Sequence, residues 1–355
     1  MNKYILGLFI GLLLITTACN TESEQQVEGY ERYSTHLFDY FDTVVQVIGY
    51  TTSEEEFYNY TDKIEERFTR YHKLFDKYNE YEGMNNVKTI NDNAGHEAVE
   101  VDQEIIDIIN FSKKWYEKTN GKMNIAGGSL ITIWKEIMDE VKKDPENTEL
   151  PSMEELEKAR ESTDIDQIIV NEDEKTVFLA DENMSLDFGA ITKGFVAEIV
   201  GEDMKEKGFT SGAIISGGNW EVLGEPKDPE RDYWKVGIQD PEHPHQADES
   251  AVLKRIKLQN QSIDTSGDYQ RFVMVDDLRV HHIIDMDTMM PANHHRGVTV
   301  IADSAVVTEY LTTELFLLTY EKGRDLVNSF DGVEALWVID HDKIKMTDGM
   351  EERLQ

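Results

Sequence analysis

HHIIDMDTMMPANHHRGVTVIADSAVVTEYLTTELFLL, residues His281–Leu318, decides the fold class. It opens on a strand that delivers His282 and Asp285, passes through a short loop, and ends in a helix predicted from about Ala305 to Thr319. The same mixture extends outward from it. Residues 167–179 read as a hairpin, short alternating strands follow at 211–224, 233–239, 252–258 and 271–284, and 335–346 reads as a closing hairpin. Helices are expected at 54–78, 103–119, 190–207 and 321–330, behind a first strand at 40–50, with a further strand at 185–188. Strands outnumber crossover helices and cluster in hairpins, so the expected class is α+β, with mostly antiparallel sheets packed with helices. Residues 140–166 are highly charged, contain Pro145 and Pro151, and read as a surface excursion without chemistry, with a short helix at 153–160.

A chain of 355 residues that is 39% hydrophobic can bury a substantial core. Its net charge of −36 includes no basic tract, so a polyanion would meet a repulsive field and nucleic-acid binding is not expected. An anionic small ligand would need local positive charge from a lysine, a helix start or a metal ion.

Lys3 precedes a twelve-residue apolar run, Tyr4–Ile15, too short for a comfortable membrane span, and small residues then lead to Cys19, the single cysteine. This pattern resembles the lipobox of bacterial lipoproteins, with Thr16 where leucine is usual. The resemblance implies a signal peptide over 1–18, a lipid on Cys19, a polar tether over 19–32, and a location on the outer face of the cell membrane.

Five blocks carry chemistry. SLDFGAITKGFVAEIV, residues 185–200, sets a glycine turn before a helix start with Lys193 in its first turn, an arrangement that can hold a phosphate. GAIISGGNWEVLG at 212–224 and TSGDYQRF at 265–272 offer small-residue turns where a ligand can approach backbone. His282 has the ring chemistry of a general base near neutrality. Glu309 and Thr313, four apart, share one helix face, and their oxygens suit Mg²⁺. No P-loop, paired-cysteine pattern, G-x-G-x-x-G or G-x-S-x-G elbow is present.

Taken in order, these blocks resemble the ApbE family, the FAD:protein FMN transferases, over essentially the whole mature chain. Its D-x-x-x-I-x-K-G block matches Asp187, Ile191, Lys193 and Gly194; its Gly-Gly-Asn block matches Gly217–Asn219; its Thr-Ser-Gly-Asp-Tyr block is intact at Thr265–Tyr269. Its H-x-I-D-P-x-T-G-x-P-A motif matches His282, Ile284, Asp285, Thr288, Pro291 and Ala292, with Met286 and Met289 at the proline and glycine positions. Glu309 stands where the family has aspartate; Phe41, Asp42 and Thr43 replace its Met-Gly-Thr; Asn124–Ala126 replace its Asp-Pro-Thr.

The resemblance implies that residues 33–355 form one flavin-transferase domain. It implies Mg²⁺ held by the Ala190 carbonyl, Glu309 and Thr313, and FAD, as substrate, contacted by Phe41, Ala126, Gly127, Asp187, Lys193, Thr265, His282 and Ile283. His282 looks like the family's base, with Asp285 beside it on the attacking side. FMN would pass to a threonine or serine of an acceptor flavoprotein of membrane or extracytoplasmic electron transfer. Hydrolysis of FAD to FMN and AMP, and flavin binding without catalysis, are the alternatives.

Overall fold

Alternation along three strands divides the core. In Gly297–Ala302, Val298, Val300 and Ala302 face one side and Ile301 the other; in Glu334–Asp340, Ala335 and Trp337 oppose Leu336 and Val338; in Gly212–Ser216, Ile214 opposes Ala213 and Ile215. Period-two burial on both faces marks a sheet covered on each side. The computed structural model describes residues 29–355 apart from 120, 146, 245, 247, 341 and 342.

Eight strands form the main sheet: β1 (Glu31–Tyr40), β2 (Thr43–Thr51), β3 (Gly212–Ser216), β4 (Asn219–Leu223), β5 (Ser262–Gly267), β6 (Gly297–Ala302), β7 (Glu334–Asp340) and β8 (Lys343–Met346). Their order across the sheet is their order in the chain, and each neighbouring pair is antiparallel. The α+β class expected from the sequence is observed.

One face carries helices α1 (Glu54–Leu74), α4 (Thr192–Glu206) and α5 (Ala305–Leu317); the other carries a hairpin of Trp234–Gln239 and Val252–Leu258. Helix α2 (Gln103–Thr119) joins the first cluster. Helix α3 (Gly128–Lys143) packs in a third cluster against the small hairpin of Phe272–Val275 and Leu278–His281.

Helix α1 forms for visible reasons. Ser53 accepts from the Glu56 N–H, three glutamates occupy the first turn, and Phe57, Thr61, Ile64, Phe68, Tyr71 and Leu74 make a buried stripe. Helix α5 is different, since eleven of its thirteen residues are buried and no amphipathic face exists. Its polar side chains Thr308, Glu309, Thr312 and Glu314 must therefore find partners inside the protein.

Several expectations change. The first strand is two strands, β1 and β2, joined at Phe41 and Asp42, which take φ of 51° and 54° between the paired residues Tyr40 and Thr43. Two left-handed central residues fit the twist of a tight hairpin, but glycine and asparagine are the usual occupants. Asp42→Gly should therefore raise unfolding free energy by about 1 kcal/mol, measured by urea denaturation.

The signal peptide, Cys19 and most of the tether lie outside the described residues. The last two tether residues, Glu31 and Arg32, belong to β1, opposite Thr51 and Tyr50. Residues 185–188 form only an isolated bridge, Ser185 to Gly127. The expected excursion at 140–166 begins inside α3, and Val141 and Leu156 are buried in the same cluster as Trp134.

Candidate active site

A cavity of about 1220 Å³ opens among the helix-side elements and reaches the Trp234–Gln239 strand of the hairpin on the other face. Its walls come from the β1–β2 turn, the start of α4, the β3–β4 turn, β5, the Phe272–His281 hairpin, α5, and one face of α3 carrying Ile131, Trp134, Lys135, Met138, Asp139 and Lys142. Six cationic side chains (Lys77, Lys122, Lys135, Lys142, Lys193 and Arg271) meet six acidic ones (Asp42, Asp76, Asp139, Asp187, Asp264 and Glu309) on these walls. The cavity is thus charge-balanced inside a strongly acidic chain, which removes the repulsion an anionic ligand would otherwise face.

Helix α4 starts without a side-chain cap of its own. Its Gly194 N–H instead donates to Glu309 of α5, and Lys193 Nζ ion-pairs with the same carboxylate. As a first-turn donor that N–H has no acceptor within the helix, whose first bond runs from the Phe195 N–H to the Ile191 carbonyl, so Glu309 supplies the missing acceptor; Ala190, just before the helix, lines the cavity. Gly194 is needed for this approach, because a Cβ there would collide with the Ala305 carbonyl and come within 3.1 Å of Asn219 Nδ2.

Burial opposes the charge on Lys193, but Glu309 and Asp264 outweigh it and hold the ammonium above its ordinary pKa. Burial pushes the Glu309 carboxyl up, with Lys193 opposing and Asp264 adding to the rise. Both groups that face Glu309 are donors, so it is the ionised carboxylate that fits there.

His281 and His282 point to opposite sides of the chain. His281 is buried, its Nε2 2.8 Å from the Ala292 carbonyl and its Nδ1 accepting from the Ile283 N–H, which fixes the local turn. His282 is exposed and lines the cavity. Desolvation, then the neighbouring His281, Arg271 and Lys193, depress its pKa. The ring opens onto solvent in the cavity, and screening there moderates the fall. His282 is therefore neutral, and free to accept a proton, at neutral pH.

Other expected site residues divide. Phe41, Asp187, Ala190, Thr265, Ile283 and Thr313 line the cavity with Lys193, His282 and Glu309. Asp187 accepts from Lys77 at 2.6 Å and from the Gly189 N–H at 2.7 Å, and these bonds overcome burial to hold its carboxyl below the ordinary range. Asp285 does not line the cavity. It is buried behind the wall and receives Lys122 Nζ at 3.0 and 3.2 Å, while Lys122 also meets Asp287 at 2.6 Å. From there it holds Lys122, which does line the cavity. Ala126 and Gly127 are also buried off the wall, with Met286 packed over Gly127; Lys122, Met123 and Asn124 line it in their place. Met289, at the glycine position of the motif, takes a left-handed backbone, φ 60°, while its side chain is buried with Trp134, whose Nε1 donates to the Met289 carbonyl.

Sequence reasoning missed Lys77, Asp264 and Arg271, and the α3 wall. Arg271 donates to the Asp42 carbonyl and so ties the segment after β5 to the β1–β2 turn. The TSGDYQRF block, which directly follows Asp264 and contains Arg271, was the one signal that could have flagged them.

The oxygen donors Glu309, Thr313 and the Ala190 carbonyl fit a hard divalent cation. Among the described residues no group of three or more His, Cys, Asp or Glu side chains gathers in metal-holding geometry, so such a cation would depend on hydroxyl and carbonyl oxygens as well as carboxylate.

Residues 41–337 match the model of the ApbE family. The FAD:protein FMN transferase of Treponema pallidum is 30% identical over 278 residues, covering 75% of this chain and 74% of that one. A protein of the same name from Klebsiella pneumoniae is 29% identical over 253 residues, 71% and 74% of the two chains. The crystal structure of an ApbE protein from Thermotoga maritima superposes with a TM-score of 0.77 at 26% identity, covering 92% of this chain and all of that one. The flavin transferase ApbE of Vibrio cholerae shares the fold, with a TM-score of 0.74 at 20% identity over 91% of this chain and 100% of that chain.

Proposed function

Because this chain belongs to the ApbE family, we propose that it transfers FMN from FAD to a threonine or serine hydroxyl of an acceptor protein and releases AMP, with Mg²⁺ bound at Ala190, Glu309 and Thr313. The observation that carries this reading is the convergence of Lys193, His282, Thr265, Glu309 and Thr313, from four separated stretches of chain, on one cavity.

His282 accepts the proton of the acceptor hydroxyl. That oxygen forms a bond to the phosphorus on the FMN side of the pyrophosphate, the bond from this phosphorus to the AMP oxygen breaks, and AMP departs with the electron pair. Lys193, at the start of α4, neutralises phosphate charge. Asp187, held by Lys77, offers an acceptor to hydroxyl or N–H groups of the flavin nucleotide. Thr265, whose hydroxyl lies 2.9 Å from that of Thr299, lies in β5 and not in the loop its small-residue block suggested, and lines the cavity from the strand. Mg²⁺, when bound, supplies charge neutralisation and in-line orientation of the pyrophosphate.

Acceptor proteins co-expressed with this chain should gain the mass of FMN on a threonine or serine, seen by mass spectrometry. AMP release from FAD at the same rate without acceptor would replace transfer by hydrolysis, and a yellow protein that releases no AMP would leave binding alone. The lipid anchor at Cys19 belongs to the same proposal: labelled palmitate should enter the full chain and not a Cys19→Ala variant.

A further inference from the structure

Ser262, Asp264 and Ser266 alternate along β5 on the face that meets α5, while Ile263 turns to the opposite core. Asp264 is 3% exposed, yet it has no Lys or Arg ion-pair partner among the described residues. Its side chain receives one neutral donor, the Thr312 hydroxyl, at 2.8 Å from Oδ2. Buried carboxylates are ordinarily paired with a cation or bound to a metal, and one hydroxyl compensates little of the lost hydration.

The second oxygen, Oδ1, looks past Gly218, where a Cβ would approach it to 3.2 Å. Asp264, Lys193, Glu309 and Thr313 all line the same cavity. Lys193 is already engaged by Glu309, so Asp264 has no ammonium of its own. Ser266 Oγ lies 3.0 Å from Thr312 Oγ1, which itself donates to Asp264. This Ser266–Thr312–Asp264 relay fixes the carboxylate, as outer partners fix metal ligands, and Thr312 is adjacent in sequence to Thr313.

We propose that Asp264 is a second carboxylate ligand of the divalent cation served by Glu309 and Thr313. The proposal rests on the metal part of the reading above and adds a residue to it. A buried carboxylate without an ion-pair partner is what draws the cation: Asp264 supplies an oxygen while Glu309 remains partly committed to Lys193 and Gly194. The lengthened side chain at 309 and the carboxylate at 264 then act together on one ion.

The test titrates the full chain with Mn²⁺ alone, without flavin, and follows free Mn²⁺ by electron paramagnetic resonance. Asp264→Asn should weaken binding by at least about 10-fold and abolish the rise in melting temperature that Mn²⁺ gives the unmutated chain, while the metal-free melting temperature stays close to it. Thr312→Val, which keeps the carboxylate but removes its orienting hydroxyl, should weaken binding to a smaller degree and serves if the first variant does not fold. Mn²⁺ binding in Asp264→Asn equal to that of the unmutated chain, with Glu309→Gln impaired, overturns the assignment and leaves the metal site standing. An unmutated chain that takes up no Mn²⁺ at millimolar concentration overturns both. Normal metal binding that depends on Asp264, with no FMN transfer, would remove the proposed reaction and keep this ligand.

Discussion

His282→Ala transfers FMN about 10²–10⁴-fold more slowly than the unmutated chain, the range expected for loss of a general base, while FAD still binds. The comparison needs two measurements, single-turnover transfer to an acceptor and flavin fluorescence on titration. The separation follows from position: His282 stands at the open side of the cavity, and Lys193, Asp187 and Thr265 hold other parts of it. Its depressed pKa adds a signature. In the free protein the base stays neutral well below its ordinary value, so the acid limb of kcat/KM should fall below pH 6.5. Bound pyrophosphate would offset the cationic Arg271 and Lys193, so the acid limb of kcat should lie at higher pH than that of kcat/KM. Near-normal transfer by His282→Ala would remove this residue from the reaction.

Glu309→Ala carries the second large effect, on stability and chemistry together. It leaves Lys193 without its anion and the Gly194 N–H without an acceptor at a capless helix start. Breaking a buried pair costs about 3–5 kcal/mol, and the opening of Lys193 to the cavity places the expected loss near the lower end. Chemical denaturation would read that loss, and transfer should become undetectable at millimolar Mg²⁺. Glu309→Asp should regain metal-dependent transfer but not the full stability, since the shorter side chain cannot span both Lys193 and the cation. A fully stable, active Glu309→Ala variant would contradict the roles of both helices.

The residues explain which parts of this molecule were legible beforehand. Helix α1 has a cap, an acidic first turn and an apolar stripe within one local segment, and its start at Glu54 was readable, though it ends at Leu74 and not Tyr78. The hairpin at Glu334–Met346 likewise declares itself by alternation. Strand β1, ERYSTHLFDY, has one buried residue, Leu37, and its polar composition resembles a tether until β2 pairs with it. Helix α3 begins at Gly128, behind Gly127 with no side-chain cap, and runs into a charged stretch, so its edge is indistinct in sequence. The motif residues of the site were visible because each sits in a short block. Lys77 and the α3 wall were not, because they acquire meaning only by meeting Asp187 or the cavity across the fold.

The three ties that close the cavity, Arg271 to Asp42, Lys77 to Asp187 and Lys193 to Glu309, join residues 229, 110 and 116 positions apart. A binding place assembled this way has no precursor in any fragment of the chain, and its formation must await late, long-range steps of folding. Any ligand that fills it selects the completed molecule over every partly unfolded form. At 100 times its dissociation constant such a ligand adds about 2.7 kcal/mol. That increment is shared by amides that exchange only through global unfolding, however far they lie from the cavity, so hydrogen exchange would slow in buried interior strands such as β7.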